Sequence, residues 1–242
     1  MTRELFPGEQ LQSFRDYGPQ AAPRPLFLCF TNRSGSNLLA DLLSSTGSFS
    51  LGGEFFLHPV IRETCETERI TTFYDYCAHL QQKRSDGREV FVAKVGLANL
   101  LFLLQVGAIP EVFGRARYVW ISRRDVLGQA ISFSIADQTK QWTSGHRAER
   151  EAEFDGQDVL NRIVGICNGN SRFEELFATR GIEPYRLTYE DLCADPGATV
   201  RSLCRWLGVE EREPDPRKTR LSVQRDRRND EFRRRFLEIY GA

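Results

Sequence analysis

An arginine, a glycine and two hydroxyls stand together in Arg33-Ser34-Gly35-Ser36, directly after the apolar run Pro25 to Phe30 and directly before a leucine-rich stretch. A strand that turns sharply into a helix leaves the first backbone N–H groups of that helix without intrahelical acceptors, and the macrodipole places partial positive charge there. With the Arg33 guanidinium, the Ser34 and Ser36 hydroxyls and Asn37 closing the segment, such a turn suits a phosphate or sulfate oxygen. A loop for a metal-bound triphosphate is longer and ends in Gly-Lys-Ser/Thr, and this chain has no such lysine. Smaller or differently presented phosphates are therefore the candidates. The competing reading makes Ser36 the side-chain cap of an ordinary core helix.

Chemistry recurs at the ends of two later apolar runs. Val90 to Val95 carries Lys94, and Arg117 to Ser122 leads into Arg123-Arg124-Asp125 and a helical pattern with Gln129 and Ser132. A guanidinium fork at Arg123 and a hydroxyl at Ser132 make a second anion site if they converge, and two such sites imply a ligand with two separated phosphate-like groups. Otherwise Arg123 pairs with Asp125 or Glu54 and Ser132 is a helix-surface residue. Among the histidines, His58 lies near Glu54, whereas His79 and His146 have no partner at a telling spacing and read as structural or surface residues.

The elements that must position these residues follow from periodicity. Four apolar runs, Pro25 to Phe30, Val90 to Val95, Arg117 to Ser122 and Pro184 to Thr188, read as strands separated by helical patterns. Leu38, Leu39, Leu42 and Leu43 mark one helix face; Val126, Ala130, Ile131 and Phe133 a second; Val159, Ile163, Ile166 and Phe173 a third. Asp195-Pro196-Gly197 opens a helix carrying Val200, Leu203, Cys204, Trp206 and Leu207, closed by Gly208, and Asp230 to Tyr240 forms a last helix with Phe232, Phe236 and Ile239 on one side. Near-continuous apolar strands between helices predict an α/β fold, a parallel sheet with helices on both faces. Ligands of such sheets bind at the carboxyl ends of the strands, where the residues above lie.

The 242 residues suit one large domain, read here as 24–242 after a flexible N-terminal segment 1–23. Lys plus Arg and Asp plus Glu balance at 33 each, so no global field draws in nucleic acid or an anionic membrane. Residues 1–25 lack a signal-peptide run, and Leu97 to Ile109 is too short to anchor the chain in a bilayer. Six cysteines without zinc-type spacing read as reduced, mostly buried thiols of a cytoplasmic protein.

Arg33-Ser34-Gly35-Ser36 before a helix, then Tyr118 to Val126 with Gln129 to Phe133, is similar to the two phosphate-binding motifs of sulfotransferases that use 3'-phosphoadenosine 5'-phosphosulfate (PAPS), and resembles the bacterial trehalose 2-sulfotransferase family in particular. Glu54-Phe55-Phe56, Lys94, Trp142, Tyr189-Glu190-Asp191-Leu192, the Pro196 to Gly208 helix and Gln224 to Phe232 extend the resemblance over about residues 24 to 240. Two positions depart from it: Gly53 stands where the trehalose enzymes have Gln, and Asn37 where they have Thr.

The resemblance implies a P-loop-like sulfotransferase fold and a PAPS site that needs no metal and releases adenosine 3',5'-bisphosphate (PAP). Arg33, Ser34, Gly35, Ser36 and Asn37 would surround the 5'-phosphosulfate, with Arg123 and Ser132 at the 3'-phosphate. It implies transfer to a hydroxyl of a carbohydrate or glycosylated small molecule, with Glu54 as base and Arg33 and Lys94 in the catalytic set, and it implies a homodimer. Gln224 and Arg228 read either as part of a basic lid over the cofactor or as a solvated charge run. Trp142 reads either as an acceptor platform or as a subunit contact. Two other functions stay open at this point: a nucleotide kinase with a degenerate phosphate loop, and a phosphoadenosine-binding protein without turnover.

Overall fold

The structure, a computed structural model, describes residues 24–142, 149–219 and 227–241. The segment 1–23, His146 and Gln224 lie outside the described residues. Four parallel strands, β1 (Arg24–Phe30), β2 (Val90–Val95), β3 (Arg117–Ser122) and β4 (Tyr185–Thr188), lie in the order β2-β1-β3-β4. β4 begins one residue after the apolar run does, because Pro184 has no N–H to give a ladder. Between the strands run α1 (Ser36–Ser45), α2 (His58–Glu68), α3 (Phe73–Lys83), α4 (Leu97–Gln105), the single turn α5 (Ala108–Glu111), α6 (Val126–Thr139) and α7 (Gly156–Arg180). After β4 come α8 (Tyr189–Ala194), α9 (Pro196–Leu207) and α10 (Arg227–Tyr240).

Side chains of β1 alternate between two apolar layers, as the strand period of two demands. Leu26, Leu28 and Phe30 join Leu39 and Leu43 of α1 and Val200, Leu203 and Leu207 of α9 on one face. Phe27 and Cys29 face the other way, into Phe56, Phe73, Tyr76, Phe173 and Phe177. Phe27 is fully buried with Phe113 edge-on at 5.3 Å, so truncating it to Ala would cost about 3–5 kcal/mol.

α7 serves two cores along its 25 residues. Its first half packs Val159 and Ile166 with Ala130 and Ile131 of α6 and Phe232 and Phe236 of α10, whereas Phe173 and Phe177 lie under the sheet against Trp120. The predicted stripe on the last helix is narrower than its periodicity suggested: Phe232 and Phe236 are buried, but Ile239 is 63% exposed. The thiols also differ from expectation. Only Cys29, Cys77 and Cys204 are buried; Cys65 and Cys193 are half-buried and Cys167 faces solvent on α7. No described helix is long and apolar enough to cross a membrane.

The chain passes from β1 outward to β2 and then returns to lay β3 on the other side of β1. Strand order therefore reverses between β1 and β3, and the connections leaving their carboxyl ends flank one crevice.

Candidate active site

The turn after β1 leaves the start of α1 without a side-chain cap, although the Ser34 N–H is taken by the Thr31 carbonyl at 3.2 Å. Arg33 takes φ 66° and Gly35 φ 96°, both in the left-handed region. Gly35, not Ser36, is the N-cap of α1, and no side chain caps that end. By contrast Asp125, Asp155, Thr188 and Asp195 each accept an N–H at the start of α6, α7, α8 and α9. The Ser34 side chain is fully buried with no hydrogen-bond partner for its Oγ. A buried hydroxyl without a partner beside an uncapped helix start is a donor arrangement that suits an anionic oxygen.

Gly35 is required by its neighbour as well as by its φ. A Cβ there would lie 2.5 Å from Cδ2 of Tyr189, whose ring lies over the glycine at the start of α8. The same ring carries the Arg123 guanidinium at 4.7 Å from its centroid. Tyr189 is thus the wedge between the loop after β1 and the arginine after β3. Arg123 is only 18% exposed, its Nε has no partner, and the nearest carboxylate, Asp125, stands 3.6 Å away.

Asp125 is engaged elsewhere. It caps α6 through the Gly128 N–H at 2.9 Å and accepts from Arg233 of α10 at 2.5 and 2.6 Å. Burial alone would raise the Asp125 carboxyl, but the Arg233 and Gly128 hydrogen bonds and the charges of Arg233 and Arg123 hold it below the usual range. Glu190 accepts the backbone N–H groups of Arg124 and Asp125, both at 3.1 Å, and so fixes the turn that delivers Arg123. Burial opposes its ionisation too, but those two N–H donors, its own N–H and the charge of Arg123 together hold it below the usual range.

The two motifs are joined directly. Arg33 Nε donates to Ser132 Oγ at 3.0 Å, and its Nη1 donates to the Trp142 carbonyl. Burial, then the like charge of Arg123, lowers the Arg33 guanidinium from its ordinary value, with Tyr189 opposing. Gln129, fully buried on α6, donates from Nε2 to Thr31 Oγ1 at 3.0 Å and to the Asn32 carbonyl at 2.8 Å. Thr31 in turn donates to Asn170 of α7 at 3.0 Å.

A second group forms beside β2. Gly53 bridges to Ala93, and Lys94 N–H donates to the Gly53 carbonyl at 2.8 Å, so the next residue, Glu54, arrives next to the Lys94 side chain. Lys94, 5% exposed, donates from Nζ to Glu54 Oε1 at 2.8 Å and to Asn37 Oδ1 in the first turn of α1. Glu54 opens onto a cleft of about 550 Å³ lined also by Asn32, Phe55, Leu57, Val60 and Trp142. His58, the first residue of α2, is not in that lining.

Arg33, Arg123 and Ser132 are therefore brought together as one constellation, and Glu54, Lys94 and Asn37 as another across the first turn of α1. Arg228 is the second residue of α10 and is half-buried. Sequence reasoning gave no role to Tyr189, Glu190 or Arg233, because each works through a partner distant in the chain; Asp125 it offered only as a pairing partner of Arg123, which the 3.6 Å contact bears out, and not as the partner of Arg233. Among the described residues, no three His, Cys, Asp or Glu side chains are grouped to hold a metal ion.

Comparison with known proteins gives this arrangement its relatives. Trehalose 2-sulfotransferase of Mycobacterium tuberculosis (strain ATCC 35801 / TMC 107 / Erdman) is 27% identical over 258 residues, covering 89% of this chain and 95% of that protein. The sulfotransferase domain from the curacin biosynthetic pathway superposes with a TM-score of 0.53 at 18% identity, covering 85% of this chain and 79% of that one, a likeness of fold. Residues 26–238 match the family described as Stf0 sulphotransferase. The Arg33 to Asn37 turn and the Arg123 to Ser132 stretch thus fall inside one matched region, and the chain belongs to the Stf0 sulphotransferase family.

Proposed function

We propose that this sulfotransferase transfers a sulfuryl group from PAPS to a hydroxyl of a carbohydrate or glycosylated small molecule. The observation that carries the reading is the orphaned Ser34 Oγ and Arg123 Nε, both buried, flanking the Arg33–Ser132 hydrogen bond at the β1/β3 crevice. Their donors suit anionic oxygens at two places. Ser34, Gly35, Ser36 and Asn37 would hold the 5'-phosphosulfate, with Arg33 reaching from that loop toward Ser132 and Arg123 at the 3'-phosphate. Bound PAPS supplies an activated sulfuryl group whose leaving oxygen belongs to a phosphate.

The chain's residues orient, neutralise and take up a proton. Glu54 Oε would accept the proton of the acceptor hydroxyl as that oxygen takes the sulfuryl group, and bound PAPS would supply the sulfur together with a phosphate leaving group. Arg33 and the loop N–H groups stabilise that departing negative charge, the term that dominates related group transfers. Lys94 holds the Glu54 carboxylate in place through its 2.8 Å ion pair and ties it to Asn37. We place the enzyme in the cytoplasm, since its cysteines lack the paired spacing of a disulfide framework, and infer a homodimer by likeness to the family.

Calorimetry with PAP in EDTA tests the cofactor, and mass spectrometry of a sulfated product formed from PAPS tests the transfer. Metal-independent PAP binding is expected. Binding that vanishes in EDTA and returns with magnesium, with phosphate rather than sulfate transferred, would make the protein a nucleotide kinase; PAP binding without any transfer would make it a binding protein.

A further inference from the structure

Among the described residues, the lining of the cleft beside Glu54 is mostly apolar: Asn32 and Glu54 supply polar groups, whereas Phe55, Leu57, Val60 and Trp142 form the other walls. Those apolar groups are backed by packing. The Phe55 ring stacks on Phe91 at 5.9 Å with the Arg84 guanidinium 5.8 Å from its centroid, and Trp142 packs on Phe133 at 6.0 Å. Leu57, the residue that enters α2, is 40% exposed at the cleft. Its volume of about 550 Å³ falls within the range of small-molecule sites, which is about 300–1,000 Å³.

A free disaccharide carries hydroxyls around both rings, and each one set against Leu57, Val60 or Phe55 would lose a water and gain no partner. A molecule with one hydroxylated end and an apolar body meets no such penalty. We propose that the acceptor is an amphiphile, a glycoside whose sugar hydroxyl faces Glu54 and Asn32 while an aliphatic or aromatic aglycone lies along Phe55, Leu57, Val60 and Trp142. This rests on the sulfuryl-transfer reading and names the acceptor class for the same site. Aromatic faces alone would serve a bare sugar; two aliphatic walls do not.

The test titrates PAP-saturated protein with trehalose, glucose, hexyl glucoside and octyl glucoside by calorimetry, each glucoside below its micellar concentration. Octyl glucoside should bind at least about tenfold more tightly than trehalose, with affinity rising roughly threefold per added methylene. Leu57→Asp should abolish that chain-length dependence while leaving PAP affinity unchanged, since Asp at this N-cap position is compatible with α2. Val60→Thr, of similar shape, should weaken octyl glucoside several-fold and confirm the wall independently. Equal or tighter binding of trehalose, affinity independent of chain length, no binding by either glucoside, or indifference to both substitutions would each overturn the amphiphile. If PAP itself fails to bind, the sulfuryl-transfer reading falls first and the acceptor class with it; if PAP binds and only the chain-length trend fails, the acceptor class alone is wrong.

Discussion

Arg33 and Ser132 are 99 residues apart in sequence and meet through a 3.0 Å hydrogen bond from Nε to Oγ. The guanidinium of the loop after β1 is thereby turned toward the helix after β3, close enough to Arg123 for the two cations to oppose each other. A crevice that gathers two guanidinium groups against their mutual repulsion concentrates positive field where an anion would relieve it.

Removing either cation should therefore weaken PAP, by about 1.5–3 kcal/mol for each charge-assisted hydrogen bond lost. The comparison with adenosine 5'-phosphate separates their roles. Calorimetry should show that deleting the 3'-phosphate costs wild type much affinity and Arg123→Ala little. Equal losses in both would mean that Arg123 does not bind that phosphate.

Glu54→Gln keeps the shape and the hydrogen-bonding capacity of the side chain but removes the proton acceptor. Turnover should fall by about two to four orders of magnitude with PAP affinity nearly intact. His58→Asn should do far less, since His58 is outside the cleft lining. Steady-state kinetics in which His58→Asn is dead and Glu54→Gln active would reassign the base.

Gly35→Ala meets two obstacles, a left-handed φ of 96° and the Tyr189 ring. The backbone part alone should cost about 1–2 kcal/mol, and the displaced ring should loosen Arg123. Adding Tyr189→Leu should recover part of the lost melting temperature but not PAP affinity. Full recovery of both would show that Tyr189 only obstructs and does not position Arg123.

Acid should release α10. Because the folded Asp125 carboxyl lies below its ordinary value, its contribution to stability is complete above the unfolded carboxylate pKa of about 3.9 and is lost as pH falls through the lower folded value. Asp125→Asn should thus lower the urea midpoint at pH 7 and make less difference near pH 3. A deficit of the same size at both pH values would rule out this linkage.

Strand positions, the sheet's parallel sense and the tight turn after β1 follow from local pattern, because apolar runs and a Gly/Ser turn report their own structure. β2 and β3 have the bounds of their apolar runs. What local pattern could not supply is partnership. Nothing near Arg33 points to Ser132, nothing near Asp125 points to Arg233, and Tyr189 becomes meaningful only when α8 lays it on Gly35. α2 and α3 were not anticipated, since their apolar positions are filled by mixed aromatics and Thr, and their starts depend on Pro59 and on the Thr72 cap. Ser36 illustrates the reverse case: its type suggests a cap, yet the turn places Gly35 there.

β2 is the outermost strand on its side of the sheet, and an open edge invites pairing with another chain. Residues 48–53 close it. Val90 N–H donates to the Ser48 carbonyl at 3.1 Å, Ser50 N–H to the Val90 carbonyl at 2.9 Å, and Lys94 N–H to the Gly53 carbonyl at 2.8 Å. Between them Val92 N–H finds the Ser50 hydroxyl at 2.9 Å in place of a backbone acceptor. The stretch that carries Glu54 to the cleft is thus also the selvage of the sheet. A substitution that frays it, Ser50→Ala for instance, would both unseat the carboxylate and bare an aggregation-prone border, so that loss of activity and self-association would arrive together.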